Sequence, residues 1–99
     1  MLRKDYIDVD HEDVLNVQRA DFTASATRSV IATILGQDLP ISSERFAEYE
    51  RKYQKEYQEF EYLKEDIQNK YLTDPKYATA RWTLNYRTFK LEVEYDDEL

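Results

Sequence analysis

The residues of this chain best able to do chemistry gather near its start, where Asp8, Asp10, His11, Glu12 and Asp13 place four carboxylates and an imidazole within six positions. Such a set could hold a hard cation, yet it lacks the glycine and the distant bidentate Glu of a calcium loop. His11 is the only histidine and cysteine is absent, so neither a Cys/His metal site nor a Ser-His-Asp triad elsewhere has material to work with. The cluster reads instead as a solvated, acidic first turn favoured by the positive end of a helix dipole. Ser42 and Ser43 read as helix caps, not nucleophiles. No catalytic residue, metal ligand or cofactor is assigned, and an autonomous enzyme is the least favoured class for want of a nucleophile, base and pocket in one place.

Tyrosine is the unusual residue, with nine in the chain. Tyr49 and Tyr53 read as core residues whose hydroxyls reach water. Tyr57 and Tyr62 lie off the main apolar stripe, where contact with a partner and simple exposure are both open.

The elements that must position these residues follow from periodicity. Between Ser43 and Tyr71 there is no Gly or Pro, and Phe46, Tyr49, Tyr53, Phe60, Leu63 and Ile67 recur at helical steps. A long helix over 43–71 is expected, capped by Ser42 or Ser43 with Glu44 at its positive end, and stopped by Thr73-Asp74-Pro75. An earlier helix is expected from Asp10 or His11 to Leu35, with Gly36 as its C-terminal cap. Leu15, Phe22, Ala26 and Val30 make one face of it, but its second half is small or apolar on nearly every side, and such a helix is normally buried all round. Three coverings are open: the second helix and a sheet, a second copy of the chain, or another protein. A short connection from Gln37 to Ser42, containing Leu39-Pro40, closes the two helices into an antiparallel pair.

From Ala80 to Tyr95 the apolar residues alternate, with one shift of phase across Arg87 and Thr88. A chain reversal there, by a two-residue turn or a four-residue loop from Tyr86 to Phe89, aligns Leu84 with Leu91 and Trp82 with Val93 on one face. Asn85 then meets Lys90, Thr83 meets Glu92 and Arg81 meets Glu94 on the other. Residues 1–9 allow an extended segment able to lie against a sheet edge. Asp96, Asp97 and Glu98 read as a frayed acidic tail. The fold expected is α+β, two long antiparallel helices followed by a C-terminal β-hairpin packed across them, in one domain spanning 1–99.

Composition narrows the function. A net charge of −7 over 99 residues argues against nucleic-acid binding, which needs undiluted Lys and Arg. No segment approaches a membrane span and the N-terminus has no apolar signal core, so a cytoplasmic protein is expected. A hairpin edge offers unpaired N–H and C=O groups to an extended peptide.

The segment Trp82-Thr83-Leu84-Asn85-Tyr86-Arg87-Thr88-Phe89-Lys90-Leu91 resembles the C-terminal signature of the CXXX-repeat peptide modification system proteins, small helical proteins encoded beside radical SAM enzymes that modify ribosomally made peptides. The accessory subunits of peptide spliceases are comparable in size and role. Trp82, Leu84, Tyr86, Thr88 and Leu91 carry the match, while Arg87 and Phe89 depart from the small or acidic residues usual at the turn. The resemblance implies a non-catalytic accessory subunit that binds a larger radical SAM maturase, its precursor peptide, or both. The enzyme would hold any iron-sulfur cluster, since this chain has no cysteine for one. Candidate partner contacts are Val30, Ile31 and Ile34 on the first helix, Tyr57 and Tyr62 on the second, and Trp82, Tyr86 and Phe89 on the hairpin. The rival reading is a small acidic helical dimer that inhibits a phage or host protein by filling a basic groove.

Overall fold

The structure, a computed structural model, describes residues 1–38 and 40–97. Strand β1 (Leu2–Asp8) is followed by helices α1 (His11–Gly36) and α2 (Ser43–Tyr71), a 3-10 turn (Pro75–Tyr77), and strands β2 (Arg81–Asn85) and β3 (Lys90–Asp96). The architecture is α+β, a helical pair and a C-terminal hairpin, with one strand added. β1 pairs antiparallel with β3, which becomes the centre of a three-stranded sheet of order β1-β3-β2. The hairpin therefore keeps only one free edge, along β2, and β1 supplies the other.

The hairpin register is the one that alternation specifies. Arg81 meets Glu94, Trp82 meets Val93, Thr83 meets Glu92, Leu84 meets Leu91 and Asn85 meets Lys90. The reversal is the four-residue loop: Asn85 Oδ1 accepts from the amides of Arg87 and Thr88 at 2.9 and 3.2 Å, and Phe89 takes a left-handed φ of 57°. A short side-chain acceptor replaces the usual Gly-containing turn.

Ser42 caps α2, its Oγ accepting from the Arg45 amide at 3.2 Å. Asp10 stands at the start of α1 without a side-chain cap bond, and its own amide donates to the Tyr71 hydroxyl at 3.0 Å. Gly36 is not the left-handed cap expected of it. It closes the last turn inside α1, and Asp38 takes the positive φ, 49°. Leu39, at the centre of the expected connection, lies outside the described residues.

The core sits where the sheet covers the base of the helix pair. Leu91, Val93 and Val14 are fully buried, with Val9, Val17 and Ile67 around them. Of the coverings open for α1, the chain itself supplies one face only: Leu15, Phe22 and Val30 are 47, 61 and 42 % exposed, while Val14, Val17, Ala24 and Thr27 are buried. α1 carries apolar residues on both faces, and α2 together with the sheet has room for one. On α2 the expected stripe holds, since Phe46, Tyr49, Tyr53, Phe60 and Leu63 are half-buried and Ile67 is buried. The acidic tail is not frayed at Asp96 and Asp97. Asp96 pairs with Leu2 in the sheet, Asp97 bonds to Arg3, and Glu98 lies outside the described residues.

The molecule extends 55 × 28 × 20 Å. Its core cluster draws on α1 no further than Val17 and on α2 no earlier than Phe60, so the distal halves of the two helices extend beyond it as an arm and pack on each other.

Candidate functional site

An open groove of about 950 Å³ lies between the outer face of α2 and the start of β2. α2 contributes Tyr57, Gln58, Glu61, Tyr62, Lys64, Glu65, Gln68 and Asn69 to it, and β2 with its approach contributes Ala80, Arg81 and Trp82. The helical repeat explains the set: residues at 57, 61, 64, 65 and 68 share one side of α2, turned away from the Phe60-Leu63-Ile67 stripe that faces the core.

The groove floor is aromatic and cationic. Lys64 Nζ lies 5.2 Å from the Phe60 ring centre and 5.8 Å from that of Trp82. Trp82 Nε1 donates to Gln68 Oε1 at 3.4 Å, which fixes the indole against α2. Tyr57 stacks on Tyr53 at 5.8 Å and tilts on Phe60 at 6.2 Å, forming an aromatic row up one wall. The neighbouring Glu61 carboxylate raises the Tyr57 pKa. Tyr62 is 64 % exposed. Beside this wall runs β2, whose one side bonds to β3 while the other meets no strand among the described residues.

The candidate contacts thus separate into three places. Tyr57, Tyr62 and Trp82 come together in the groove. Tyr86 and Phe89 do not join them. The Tyr86 hydroxyl donates to Asp21 at 2.8 Å, its ring meets Phe22 edge-on at 6.5 Å, and Phe89 stacks on His11 at 4.2 Å. Burial, with the Asp21 carboxylate second, pushes the Tyr86 pKa far above the ordinary tyrosine range, so this pair seats the hairpin turn on α1. Val30 is exposed on the outer face of α1, whereas Ile31 and Ile34 are half-buried on its other side. Lys64, Gln68 and Arg81 join the candidate residues in the groove. Lys64 and Gln68 belong to the polar i, i+3, i+4 row beside Tyr57, and polar rows on helices ordinarily read as solvated surface, while Arg81 is brought there by β2.

The early acidic cluster resolves into structural bonds. Asp13 accepts from Lys70 Nζ at 2.8 Å and from the Tyr71 hydroxyl at 2.7 Å, and these bonds lower its pKa. Asp8 lies 3.6 Å from Lys90. On the sheet, Asp5 accepts from the Tyr77 hydroxyl at 2.6 Å, with Lys76 Nζ at 3.4 Å, and its pKa is lowered chiefly by the tyrosine. Among the described residues no group of three or more His, Asp or Glu is placed to hold a metal ion, and no helix is long and apolar enough to cross a membrane.

No family model matches this chain, and neither a curated protein nor a solved structure matches it.

Proposed function

We propose that this protein is a non-catalytic accessory subunit that binds a radical SAM peptide-modifying enzyme, its precursor peptide, or both, and that the α2–β2 groove receives the peptide. The observation that carries this reading is the placement of Tyr57, Tyr62 and Trp82 beside the unpaired edge of β2. An extended segment laid along that edge gains main-chain hydrogen bonds from the strand, and alternate side chains of the segment meet the aromatic wall. Five residues of β2 offer roughly 17 Å of edge, the length of a five-residue peptide. The groove carries charges of both signs, Glu61 and Glu65 against Lys64 and Arg81, which suits a neutral or mixed-charge segment.

The test is whether a radical SAM gene adjoins this one and, if so, whether its enzyme co-purifies with this chain and a fluorescently labelled peptide modified by that enzyme binds the whole chain. Tyr62→Ala and Arg81→Ala, both at exposed positions, are expected to weaken peptide binding at least tenfold with the fold intact. Full modification activity without this protein, and no association with enzyme or peptide, would remove the reading. A partner held instead by the acidic surface would be lost steeply as salt rises, which is the mark of the inhibitor alternative.

A further inference from the structure

The bonding of β3 fixes which backbone groups the open edge of β2 presents. At the two ends of the β1–β3 ladder the Val9 amide donates to the Phe89 carbonyl at 3.0 Å, and the Asp97 amide to the Met1 carbonyl at 3.4 Å. Bonded pairs recur at every second residue of an antiparallel ladder, so between these ends Leu91, Val93 and Tyr95 turn their N–H and C=O to β1. Lys90, Glu92 and Glu94 then turn theirs to β2, where they meet Asn85, Thr83 and Arg81. What β2 has left is the N–H and C=O of Trp82 and of Leu84, aimed outward where no strand lies among the described residues.

The same two residues point their side chains at the helices, since Trp82 is level with Val93 and Leu84 with Leu91, both without exposure. A residue placed opposite Trp82 in an antiparallel strand exchanges both backbone bonds with it and carries its side chain on the same face of the sheet. At Trp82 that face opens into the groove, whose lining includes Trp82 and not Leu84. Resting on the reading of the groove as a peptide site, we infer that the segment runs antiparallel to β2 and is held by one large apolar or aromatic anchor residue opposite Trp82, which bonds Trp82 through its backbone and fills the groove with its side chain.

The lining selects the class of anchor. Lys64 and Arg81 are matched by Glu61 and Glu65, and Lys64 Nζ already lies 3.7 Å from Glu61 and against the Phe60 and Trp82 rings, so no net charge calls for an ionic anchor. Tyr57 and Tyr62, 45 and 64 % exposed, offer ring surface to an apolar side chain instead. Antiparallel is the direction of both existing ladders, and its bonds run straight across the gap, the slightly stronger arrangement. A strand running against β2 passes Leu84 two residues before it reaches Trp82. The anchor and the residue two before it therefore bond to β2, while the anchor's immediate neighbours turn their N–H away.

The probe is a short capped peptide of Ser and Thr with one Tyr at its centre, titrated into the whole chain and followed by amide NMR. In the free protein the amides of Trp82 and Leu84 should exchange with solvent well ahead of that of Thr83, and at saturation theirs should slow at least tenfold while that of Thr83 stays put. N-methylation of the Tyr, or of the residue two before it, should weaken binding at least tenfold, and N-methylation of either immediate neighbour of the Tyr less than threefold. Phe or Leu in place of the Tyr should retain binding, and Ser or Glu should lose it. The reverse N-methyl pattern, binding that needs no anchor, or no binding of this peptide would each overturn the inference. Binding of the radical SAM enzyme's own peptide, lost in Tyr62→Ala, would still leave the proposed function standing, which separates the two failures.

Discussion

The base of the molecule and the helical arm are made from the same two helices, yet they are held by different means. At the base a sheet closes over α1 and α2, so that Leu91 and Val93 have no exposure and polar side chains lock the elements together. Tyr71 ties both Asp10 and Asp13 to α2, and Tyr86 ties the hairpin turn to Asp21 on α1. In the arm the seam holds half-buried Ile31, Ile34, Phe46 and Tyr49, and of the buried residues of α1 only the small Ala24 and Thr27 lie there. Three layers bury large side chains completely and two helices alone do not, so stability is concentrated in the base.

The sharpest way to break this comparison is to delete matched volume from each region. Leu91→Ala, at zero exposure, should cost about 2–5 kcal/mol, whereas Ile34→Ala in the arm should cost less than half as much, both read from urea unfolding of the whole chain. Equal costs would show that the arm is as well packed as the base. Hydrogen exchange sharpens the same contrast, since amides of residues 24–36 should exchange well before those of β3.

Acid offers the next test, and it acts at the base. Asp5 and Asp13 are held below the ordinary carboxylate value, the first chiefly by the Tyr77 hydroxyl, the second by Lys70 and then Tyr71. A carboxyl whose folded pKa is depressed adds stability that is complete above its unfolded pKa, near 3.8, and that is lost as pH falls through the folded value. The melting temperature should therefore fall as pH drops from about 5 towards 2. In Asp5→Asn/Asp13→Asn that acid limb should flatten, and an unchanged limb would place the acid-sensitive bonds elsewhere.

What the sequence made legible follows the same division. The hairpin register was legible because a period of two with one phase shift admits a single pairing that puts Trp82, Leu84, Leu91 and Val93 together. The α2 stripe was legible because one face alone is apolar. α1 was not, since Leu15, Phe22 and Val30 compete with Val14, Val17 and Ala24 for one neighbour, and a local period cannot choose between two apolar faces. β1 reads poorly because its inward face offers Arg3, Asp5 and Ile7, so its place comes from pairing with β3 and not from burial. The groove was half legible: the aromatics that line it stood out, but the approach of β2 to α2 is a tertiary fact. The end of α1 misled because Gly36 invites a left-handed cap, and the helix runs one residue further before Asp38 turns it.

Smaller effects should appear at the arm, where the local chain geometry is less supported by packing. Ser42→Ala removes the acceptor of the Arg45 amide and should cost about 1 kcal/mol. If the arm frays readily, part of that cost will appear as faster exchange near the start of α2 and not as lower global stability.

The least effect expected is at Asp38, and its sign is informative. This residue is exposed and holds φ at 49°, a conformation that costs an L-residue roughly 1 kcal/mol but that Asp tolerates better than most. Asp38→Gly relieves that strain while giving the unfolded chain more freedom to lose, so the two terms oppose and a net change within about 0.5 kcal/mol is expected. Phe89, at φ 57°, occupies the same backbone region at the base, but it stacks on His11 and packs against the core cluster. Phe89→Gly gains the same relief and loses that packing, so it should destabilise clearly where Asp38→Gly does not. Chemical unfolding of the two variants side by side decides the point, and a neutral Phe89→Gly would mean that the turn is held by Asn85 alone.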